Sequence, residues 1–552
     1  MFSRPPSHPT PENPAPLSAP GGAGGHGTHP GSFDPGTLLF LSLLSIFGAV
    51  IGIQLLTTLG VTPNTSIIGA LVAMIIARVP LQLFKRFRSI HIQNLAQSAI
   101  SSATFGAANS LLLPIGIPYI FGRPDLVLPM FIGVAMAMLL DGYLLYRMFN
   151  TTVFPAAGAW PPGVAAAESI KAGDQGGQQA GILGAGLLLG AVGSWFKLPM
   201  AALGTAFIGN VWALSMFGLG LLIRGYSAPI AGFDIGKHYI PHGMMIGAGL
   251  VALCQVIATI RGGKLDRANA SSADIDAAQA DRRHIISSLG LGAVGYIIIA
   301  ALIALGGGLY SAMSVGMLLA FILYAAFAAF IHELIVGLAA MHSGWFPAFA
   351  VALITLIIGI MIGFPPVALV ILCGFSVATG PAFADMGYDL KAGFILRGNN
   401  ADLAFELEGR RQQLFAAMIA FVIAIPVVYL SYQGYFANGL VPPVAKVYAA
   451  TIQAGVSPDI ATSLLIWAVP GALIQWIGGS RRQLGVLLAT GLLIANPLAG
   501  WAVLIGIAIR LAVLKLGGEK MRNRMEVFAA GIIAGDALFS FFNSVFSSKS
   551  GK

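Results

Sequence analysis

The sequence predicts an all-α, polytopic membrane protein. Of its 552 residues, 57% are hydrophobic and only 9% are charged, whereas a soluble domain carries about 25% charged residues. A water-soluble fold of this size could not cover its surface with so few charges, so lipid must surround most of it. The apolar residues also fall into long runs, and a helix needs about 20 apolar residues to cross the hydrocarbon core.

The chain divides into segments of contrasting composition. Residues 1–36 are rich in Pro, Gly, Ser and His and lack an apolar run, which predicts a disordered tail without a secretory signal. An apolar first half covers 37–260. The polar stretch 261–284 is interpreted as a cytoplasmic linker. A second apolar half, 285–546, and a short C-terminal tail, 547–552, complete the chain.

Apolar runs separated by turns or charges predict about 14–16 membrane segments. In the first half they lie at 38–59, from the following turn to 84, and at 94–120, 126–148, 154–172, 182–198, 201–223 and 239–260. In the second half they lie at 285–306, 315–341, 345–363, 365–384, 412–431, 460–478, 484–513 and 526–545. Gly and Pro interrupt several of these runs, so some segments are predicted to be broken or re-entrant.

Basic residues occur in short clusters between the apolar runs, as at Arg78, Lys85, Arg86 and Arg88. This pattern is typical of cytoplasmic loops that follow the positive-inside rule. It places the N-terminus in the cytoplasm and the protein in the cell membrane, with a bacterial inner membrane expected. The net charge of +9 is therefore no sign of nucleic-acid binding.

The two halves contain similar elements in the same order. Residues 70–76 resemble 352–358, and Thr104 in the first half matches Thr379 in the second. Because transporter folds are often built from repeated units, these pairs predict an internal duplication.

A broken segment at 154–169 is the first candidate for a substrate site. Its Pro and Gly residues, including Pro162 and Gly163, prevent a plain helix, and a small-residue helix carrying Glu168 can follow. Free backbone groups and a carboxylate at membrane depth suit a substrate site. The alternative is a cytoplasmic loop with a surface glutamate, close to Lys171 and Asp174.

Polar residues in the matched segments are the second candidate. Thr104 and Asn109 lie in the first half, and Asp385 and Tyr388 in the second. Hydroxyl and amide groups can hold a polar ligand at a modest cost of burial. The alternative is interhelical hydrogen bonding, worth about 0.6 kcal/mol for each bond.

Ionisable residues inside apolar runs are candidates for proton coupling, because such residues are costly and usually face a cavity or a partner. His332 and Glu333 lie together in one run, while Asp536 and His242 each lie in a Gly-rich helix. A zinc protease would need a second histidine at position 336, which is valine. The alternative is a helix end that lies closer to water.

The sequence indicates no enzyme and no resident cofactor or metal site. Walker motifs, paired Cys ligands and a nucleophile elbow are missing from it. A carrier driven by an ion gradient is therefore the simplest interpretation. The rival from another class is an intramembrane hydrolase that uses Asp389, Asp536 or His332, but the Gly-x-Gly-Asp motif fails because position 533 is isoleucine.

Five segments together resemble the oligopeptide transporter superfamily, in its prokaryotic branch. They lie at 52–66, 162–169 (Pro-Gly-Val-Ala-Ala-Ala-Glu-Ser), 239–247, 496–500 and 530–538. The resemblance implies about 16 helices from a duplication and proton-coupled uptake of small peptides or peptide-like metal chelates.

The Asn-Pro-Gly and Lys-Ile-Pro-Pro-Arg signatures of the eukaryotic peptide branch are missing from the chain, so metal chelates or another small solute remain open as substrates. The expected partners are a small substrate, protons and the lipid bilayer, and a homo-oligomer is left open.

Overall fold

The computed structural model describes residues 28–59, 87–261, 272–344, 347–455, 458–518 and 520–550. Helices dominate this part of the chain, apart from turns and one isolated bridge between Phe149 and Phe154. The first helices are α1 (Pro35–Leu59), α2 (Ile90–Phe105), a π-helix (Gly106–Leu112), α3 (Leu113–Ile120), α4 (Val127–Met148), α5 (Pro161–Gln175), α6 (Gly177–Trp195), α7 (Met200–Ile208), α8 (Val211–Ala231) and α9 (Ile240–Arg261). They are followed by α10 (Ser272–Gly306), α11 (Leu309–Ala312), α12 (Val315–Ser343), α13 (Ala348–Ile362), α14 (Pro366–Ala378), α15 (Pro381–Leu396), α16 (Leu403–Ala437), α17 (Pro443–Ala454), α18 (Pro458–Arg482), α19 (Leu484–Leu493), α20 (Pro497–Gly517) and α21 (Lys520–Ser550).

Ten helical segments of the described chain are long and apolar enough to cross a membrane. They are Pro35–Thr57, Ile90–Ile120, Pro124–Met148, Val211–Ala231, Gln279–Gly306, Val315–Ser343, Pro366–Leu396, Leu403–Ala437, Thr462–Gly479 and Pro497–Gly517. Helices satisfy their own backbone hydrogen bonds in lipid, and the prediction of an all-α, polytopic membrane fold is confirmed. The predicted span ending near 84, the first 27 residues of the tail and the middle of the linker lie outside the described residues.

Paired glycines let α6 and α21 cross in close contact. A Cβ atom added at Gly186 or Gly190 would meet the backbone of α21, and one added at Gly531 or Gly535 would meet the backbone of α6. Helices in lipid associate through such close packing, because lipid tails are as apolar as the side chains and no hydrophobic effect drives the helices together. The same device brings α9 against α18, where a Cβ at Gly247 would meet the α18 backbone.

Two segments of 31 residues, Ile90–Ile120 and Pro366–Leu396, are buried almost throughout. Each is interrupted near its middle. The π-helix interrupts the first, and Gly380, with a φ of +97°, separates α14 from α15 in the second. Thr104 and Thr379, which the predicted repeat aligns, lie just before these interruptions. The internal duplication itself stays a prediction.

The end of the predicted N-terminal tail packs against α16. The Ser32 N–H donates to Gln412 Oε1 at 2.7 Å, and the Ser32 hydroxyl donates to the Gln412 carbonyl at 2.6 Å. His29 is buried, with its ring 5.2 Å from the His91 ring. The structure therefore differs from the predicted tail at residues 28–34. Polar partners on α16 hold this segment in place. The composition of the tail, which is poor in apolar residues, gives no sign of those partners.

Helix α10 begins inside the predicted linker. The Asp281 carboxylate accepts a hydrogen bond from the Thr152 hydroxyl at 3.0 Å, and the His284 ring bonds the Arg147 carbonyl oxygen at 2.7 Å. The predicted boundary at 285 thus falls within a continuous helix. A helix can extend past its apolar part, because charged residues are compatible with helical backbone outside the bilayer.

Candidate functional site

A cavity of about 1130 Å³ lies among α5, α6, α7, α12, α15, α20 and α21. Among its lining residues, Gln175, Asn399 and Asn523 are polar and exposed and mark its mouth, whereas the apolar Leu338 is buried. Four basic and two acidic side chains line it, namely Lys171, Lys391, Arg510, Arg522, Glu168 and Glu526. Charges of both signs therefore share one chamber inside an otherwise apolar helical body.

Irregular backbone forms part of the cavity wall. Between α4 and α5 the chain leaves the helical conformation, and Trp160 adopts a φ of +40°. The Trp160 N–H donates to the Met341 carbonyl at 2.8 Å, and the Asn210 N–H donates to the His342 carbonyl at 3.1 Å. Two helix breaks are thus held against the end of α12. At membrane depth, such backbone is tolerated only where protein or water surrounds it.

Pro162 and Gly163 seat the first turn of α5 against its neighbours. A Cβ at Gly163 would meet the Tyr388 carbonyl and would lie 2.8 Å from Lys391 Cβ. The Pro162 ring lies 3.0 Å from the position that a Cβ at Gly344 would take. These two predicted site residues thus lie behind the cavity wall, where they set the position of α5.

Of the residues predicted to bind substrate, Glu168 lines the cavity. Its Oε1 accepts a hydrogen bond from Lys171 Nζ at 3.0 Å, and it interacts electrostatically with Glu526 on α21. Lys391, almost buried on α15, donates from Nζ to the Ala156 carbonyl at 2.8 Å and also interacts with Glu526. Acidic and basic groups from three separate helices therefore meet around the cavity.

Arg510 closes the end of α7 at the cavity wall. Its guanidinium donates to the Gly209 carbonyl at 2.6 Å and to the Ala206 carbonyl at 3.3 Å. The last carbonyls of a helix have no partner within the helix and carry partial negative charge. Arg510 satisfies two of them and brings a positive charge to the cavity.

The other four residues predicted to bind substrate lie outside the cavity wall. The Thr104 hydroxyl donates to a carbonyl of α1 at 3.0 Å. This is the interhelical hydrogen bonding that the sequence left open as the alternative to substrate binding. Asn109 lies in the π-helix. Asp385 accepts from the Ser101 hydroxyl at 2.5 Å, and Tyr388 is fully buried.

His332 and Glu333 are buried on α12 next to the break between α14 and α15. The His332 ring bonds the Ala348 carbonyl oxygen at 2.8 Å. Glu333 lies beside Asp141 of α4, which accepts from the Tyr296 hydroxyl at 2.5 Å, and Tyr296 also interacts with Glu333. Two carboxylates and a phenol from three helices therefore share one dry location.

Asp536 and His242 lie elsewhere, with partners of their own. Asp536 accepts hydrogen bonds from the Ser194 hydroxyl and, at 2.8 Å, from the Ala201 N–H, which ties α21 to α6 and α7. The His242 ring lies 5.3 Å from the ring of Tyr239. The structure therefore separates the predicted proton-coupling residues into three locations.

Sequence reasoning missed Lys391, Arg510, Arg522 and Glu526 as parts of the site. Lys391 and Arg510 lie inside apolar segments, where an ionisable residue is costly. An ionisable residue within an apolar segment is therefore the signal that could have identified them. Arg522 lies within a basic cluster that is typical of a cytoplasmic loop, and Glu526 follows that cluster. Nothing in the sequence separates them from ordinary loop charges.

The comparison with known families agrees with this architecture. The sequence profile of the family described as OPT oligopeptide transporter protein matches residues 39–229 and 230–547, almost everything beyond the N-terminal tail. No curated protein shows a significant match to the chain. The chain belongs to the OPT oligopeptide transporter family, whose members are membrane transporters.

Proposed function

We propose that this protein is a secondary transporter that takes up short peptides through the charged cavity, driven by a proton gradient. The observation that carries the proposal is the presence of acidic and basic side chains in one chamber among the helices. A peptide with free termini carries both a carboxylate and an ammonium group. Such a chamber can pair with both ends at once and compensate for their desolvation.

The size and charge of the cavity narrow the substrate class. Ligand pockets usually measure about 300–1,000 Å³, and about 1130 Å³ leaves room for a short peptide with some of its water. Because basic side chains outnumber acidic ones in the wall, substrates with more carboxylates than amines are favoured. Acidic peptides meet this requirement, and so do peptide-like metal chelates that carry several carboxylates, which are the second candidate.

We place the mouth of the cavity and the N-terminus in the cytoplasm. Arg410 donates to the Phe149 carbonyl at 3.2 Å, and Arg147 bonds Ser287 at 3.3 Å, so basic residues of α4 and α16 gather at the end where α10 begins. The N-terminal segment docks on α16 at this same end. Clustered basic residues favour the cytoplasmic side of the cell membrane, so the described conformation would face inward.

For the proton we propose Glu333 as a carrier. It is buried beside Asp141, and in the described part of the chain no basic side chain forms an ion pair with either carboxylate. Two unpaired negative charges in a dry interior are costly, which favours a shared proton. Release of that proton would destabilise the contacts among α4, α10 and α12.

Replacement of Lys391 by methionine tests the substrate assignment. Uptake of labelled trialanine into liposomes containing the full-length protein should fall by roughly 10- to 100-fold, since a charged hydrogen bond contributes about 1.5–3 kcal/mol. The wild-type protein should prefer trialanine to its C-terminal amide, and the variant should lose that preference. Glu168→Gln should instead lose the preference for trialanine over its N-acetyl form.

The matched control is Lys446→Met, which removes an exposed lysine of α17 outside the cavity and should leave uptake unchanged. A Lys391→Met protein that still discriminates against the amide would refute the role of Lys391. Analysis of the vesicle contents separates transport from hydrolysis, because an intramembrane hydrolase would yield free alanine.

Replacement of Glu333 by glutamine tests the proton carrier. An inwardly directed proton gradient should no longer drive accumulation of trialanine, because glutamine cannot bind and release a proton. Exchange of internal for external trialanine should continue, since it needs no net proton movement. Glu408→Gln, which changes a partly exposed glutamate, is the control. Gradient-driven accumulation by Glu333→Gln equal to that of the control would reject the assignment.

A further inference from the structure

A second pair of buried carboxylates lies on α15, one turn apart. Asp385 and Asp389 are both fully buried. Their side-chain donors are neutral and come from α2: Ser101 donates to Asp385 Oδ1 at 2.5 Å, Gln97 to Asp389 Oδ1 at 2.5 Å, and Ser102 to Asp389 Oδ2 at 3.3 Å. Neither carboxylate forms an ion pair with a basic side chain of the described residues.

Three buried oxygen atoms at this location have no hydrogen-bond partner among the described residues. They are Asp385 Oδ2, Gln97 Oε1 and the Tyr388 hydroxyl. Tyr388 is fully buried and interacts electrostatically with Asp385. Buried polar atoms are nearly always paired in native proteins. Unpaired oxygens around two carboxylates therefore indicate that a small positive species completes the group.

We propose that Asp385 and Asp389 together form a binding site for one proton, distinct from that at Glu333, and that α15 relays its occupancy to the cavity. The inference rests on the proposed proton-driven transport. Like charges four residues apart on a helix repel each other, and a dry interior strengthens that repulsion while penalising each charge. One shared proton removes a charge and supplies a donor to an unpaired oxygen.

The charged groups on the helices around α15 are engaged elsewhere. They include His91 of α2 beside His29, Asp141 of α4 with Tyr296, Glu168 and Lys171 of α5 in the cavity, His332 and Glu333 of α12 at the helix break, and Arg410 of α16 with Glu406. Arg147 of α4 bonds Ser287, His342 of α12 bonds the Leu338 carbonyl, Glu408 and Arg411 of α16 pair with each other, and Asp174 of α5 is exposed. On α15 itself, Lys391 bonds the Ala156 carbonyl. The groups that face the pair are therefore Tyr388 and the neutral side chains of α2.

Helix α15 connects this pair to the cavity directly. Lys391 follows Asp389 by two residues and lines the cavity. Gly163, at the start of α5, packs against the Tyr388 carbonyl and Lys391 Cβ. A shift of α15 that accompanies a change in charge at Asp385 and Asp389 would therefore move Lys391 and the helix that carries Glu168.

Infrared spectroscopy and transport together test the proposal in the full-length protein. An acid-minus-alkaline difference spectrum should show a carbonyl-stretch component from a protonated carboxyl that is lost in the Asp385→Asn/Asp389→Asn variant and kept in Glu333→Gln.

In liposomes, a proton gradient should no longer drive accumulation of trialanine by this double variant, while trialanine exchange persists. Ser101→Ala keeps both carboxyls and should shift the frequency of the same component, which provides a test if the double variant does not fold.

The outcomes separate the site from the transport proposal. Wild-type protein without gradient-driven accumulation would reject the proposed function, while the spectra would still report on the site. A spectrum unchanged in both the double variant and Ser101→Ala would overturn the proton site. Accumulation by the double variant equal to wild type would overturn its role in coupling. Wild-type accumulation that follows a sodium gradient at constant pH would overturn the proton as occupant.

Discussion

Replacement of Glu406 by glutamine should lower the free energy of unfolding by about 3–5 kcal/mol. Glu406 Oε2 accepts from Arg397 Nε at 2.7 Å, and its Oε1 accepts from both Arg397 and Arg410 at 3.2 Å. The side chains of Glu406 and Arg397 are fully buried. Burial lowers the pKa of the Arg397 guanidinium below its usual value, and the hydrogen bond to Glu406 opposes that shift. Glutamine would leave two buried guanidinium groups without a counter-charge.

Thermal or denaturant unfolding of the purified protein in detergent measures this effect. Glu408→Gln is the matched control on the same helix, since Glu408 pairs with Arg411 at 2.9 Å in a partly exposed position. Surface pairs contribute about 0–1 kcal/mol, so this control should unfold almost like the wild type. Equal stability of the two variants would show that the buried network around Arg397 contributes no more than a surface pair.

Replacement of Gly190 by leucine should destabilise the protein by about 3 kcal/mol or more. A Cβ at Gly190 would meet the backbone of Ile532, and backbone atoms cannot rotate away as a side chain can. Helix α6 would have to separate from α21, which carries Arg522 and Glu526 into the cavity. Uptake should therefore fall even in the fraction of protein that folds.

The control is Gly184→Leu on the same helix, because a Cβ at Gly184 has no neighbouring heavy atom within 4 Å and the residue is exposed. Size-exclusion profiles and unfolding temperatures in detergent compare the two variants. Intact, stable protein with Gly190→Leu would refute the close crossing of α6 and α21.

Much of the fold could be predicted because composition and run length report directly on the solvent. A chain with 57% hydrophobic and 9% charged residues must be surrounded by lipid, and lipid requires helices. The broken segment before Glu168 was also visible, since Pro and Gly mark the positions where a helix cannot continue. The helical start of α10 before 285 and the packing of residues 28–34 on α16 could not be predicted, because they involve contacts with residues far away in the sequence, such as Thr152 and Gln412.

The candidate site was only partly predictable for a related reason. Glu168 was found because it follows a visible helix break, whereas Arg522 and Glu526 look like ordinary loop charges until α21 packs on α6. Asp385 and Tyr388 were expected to bind substrate, but the structure places them outside the cavity wall, with Asp385 against α2. Sequence spacing shows which residues share a helix. It does not show which neighbouring helix each face of that helix packs against.

By itself, the sequence determined that this chain is a multi-helix membrane protein, and it predicted interrupted helices and carboxylates within apolar runs. These properties follow from local composition, because each segment must satisfy its own backbone in lipid. Only the tertiary structure decided which charged side chains share the cavity. It also decided which buried carboxylates lie close to each other without a basic side chain as a partner. Those properties depend on contacts between helices far apart in the chain, such as Gln97 with Asp389.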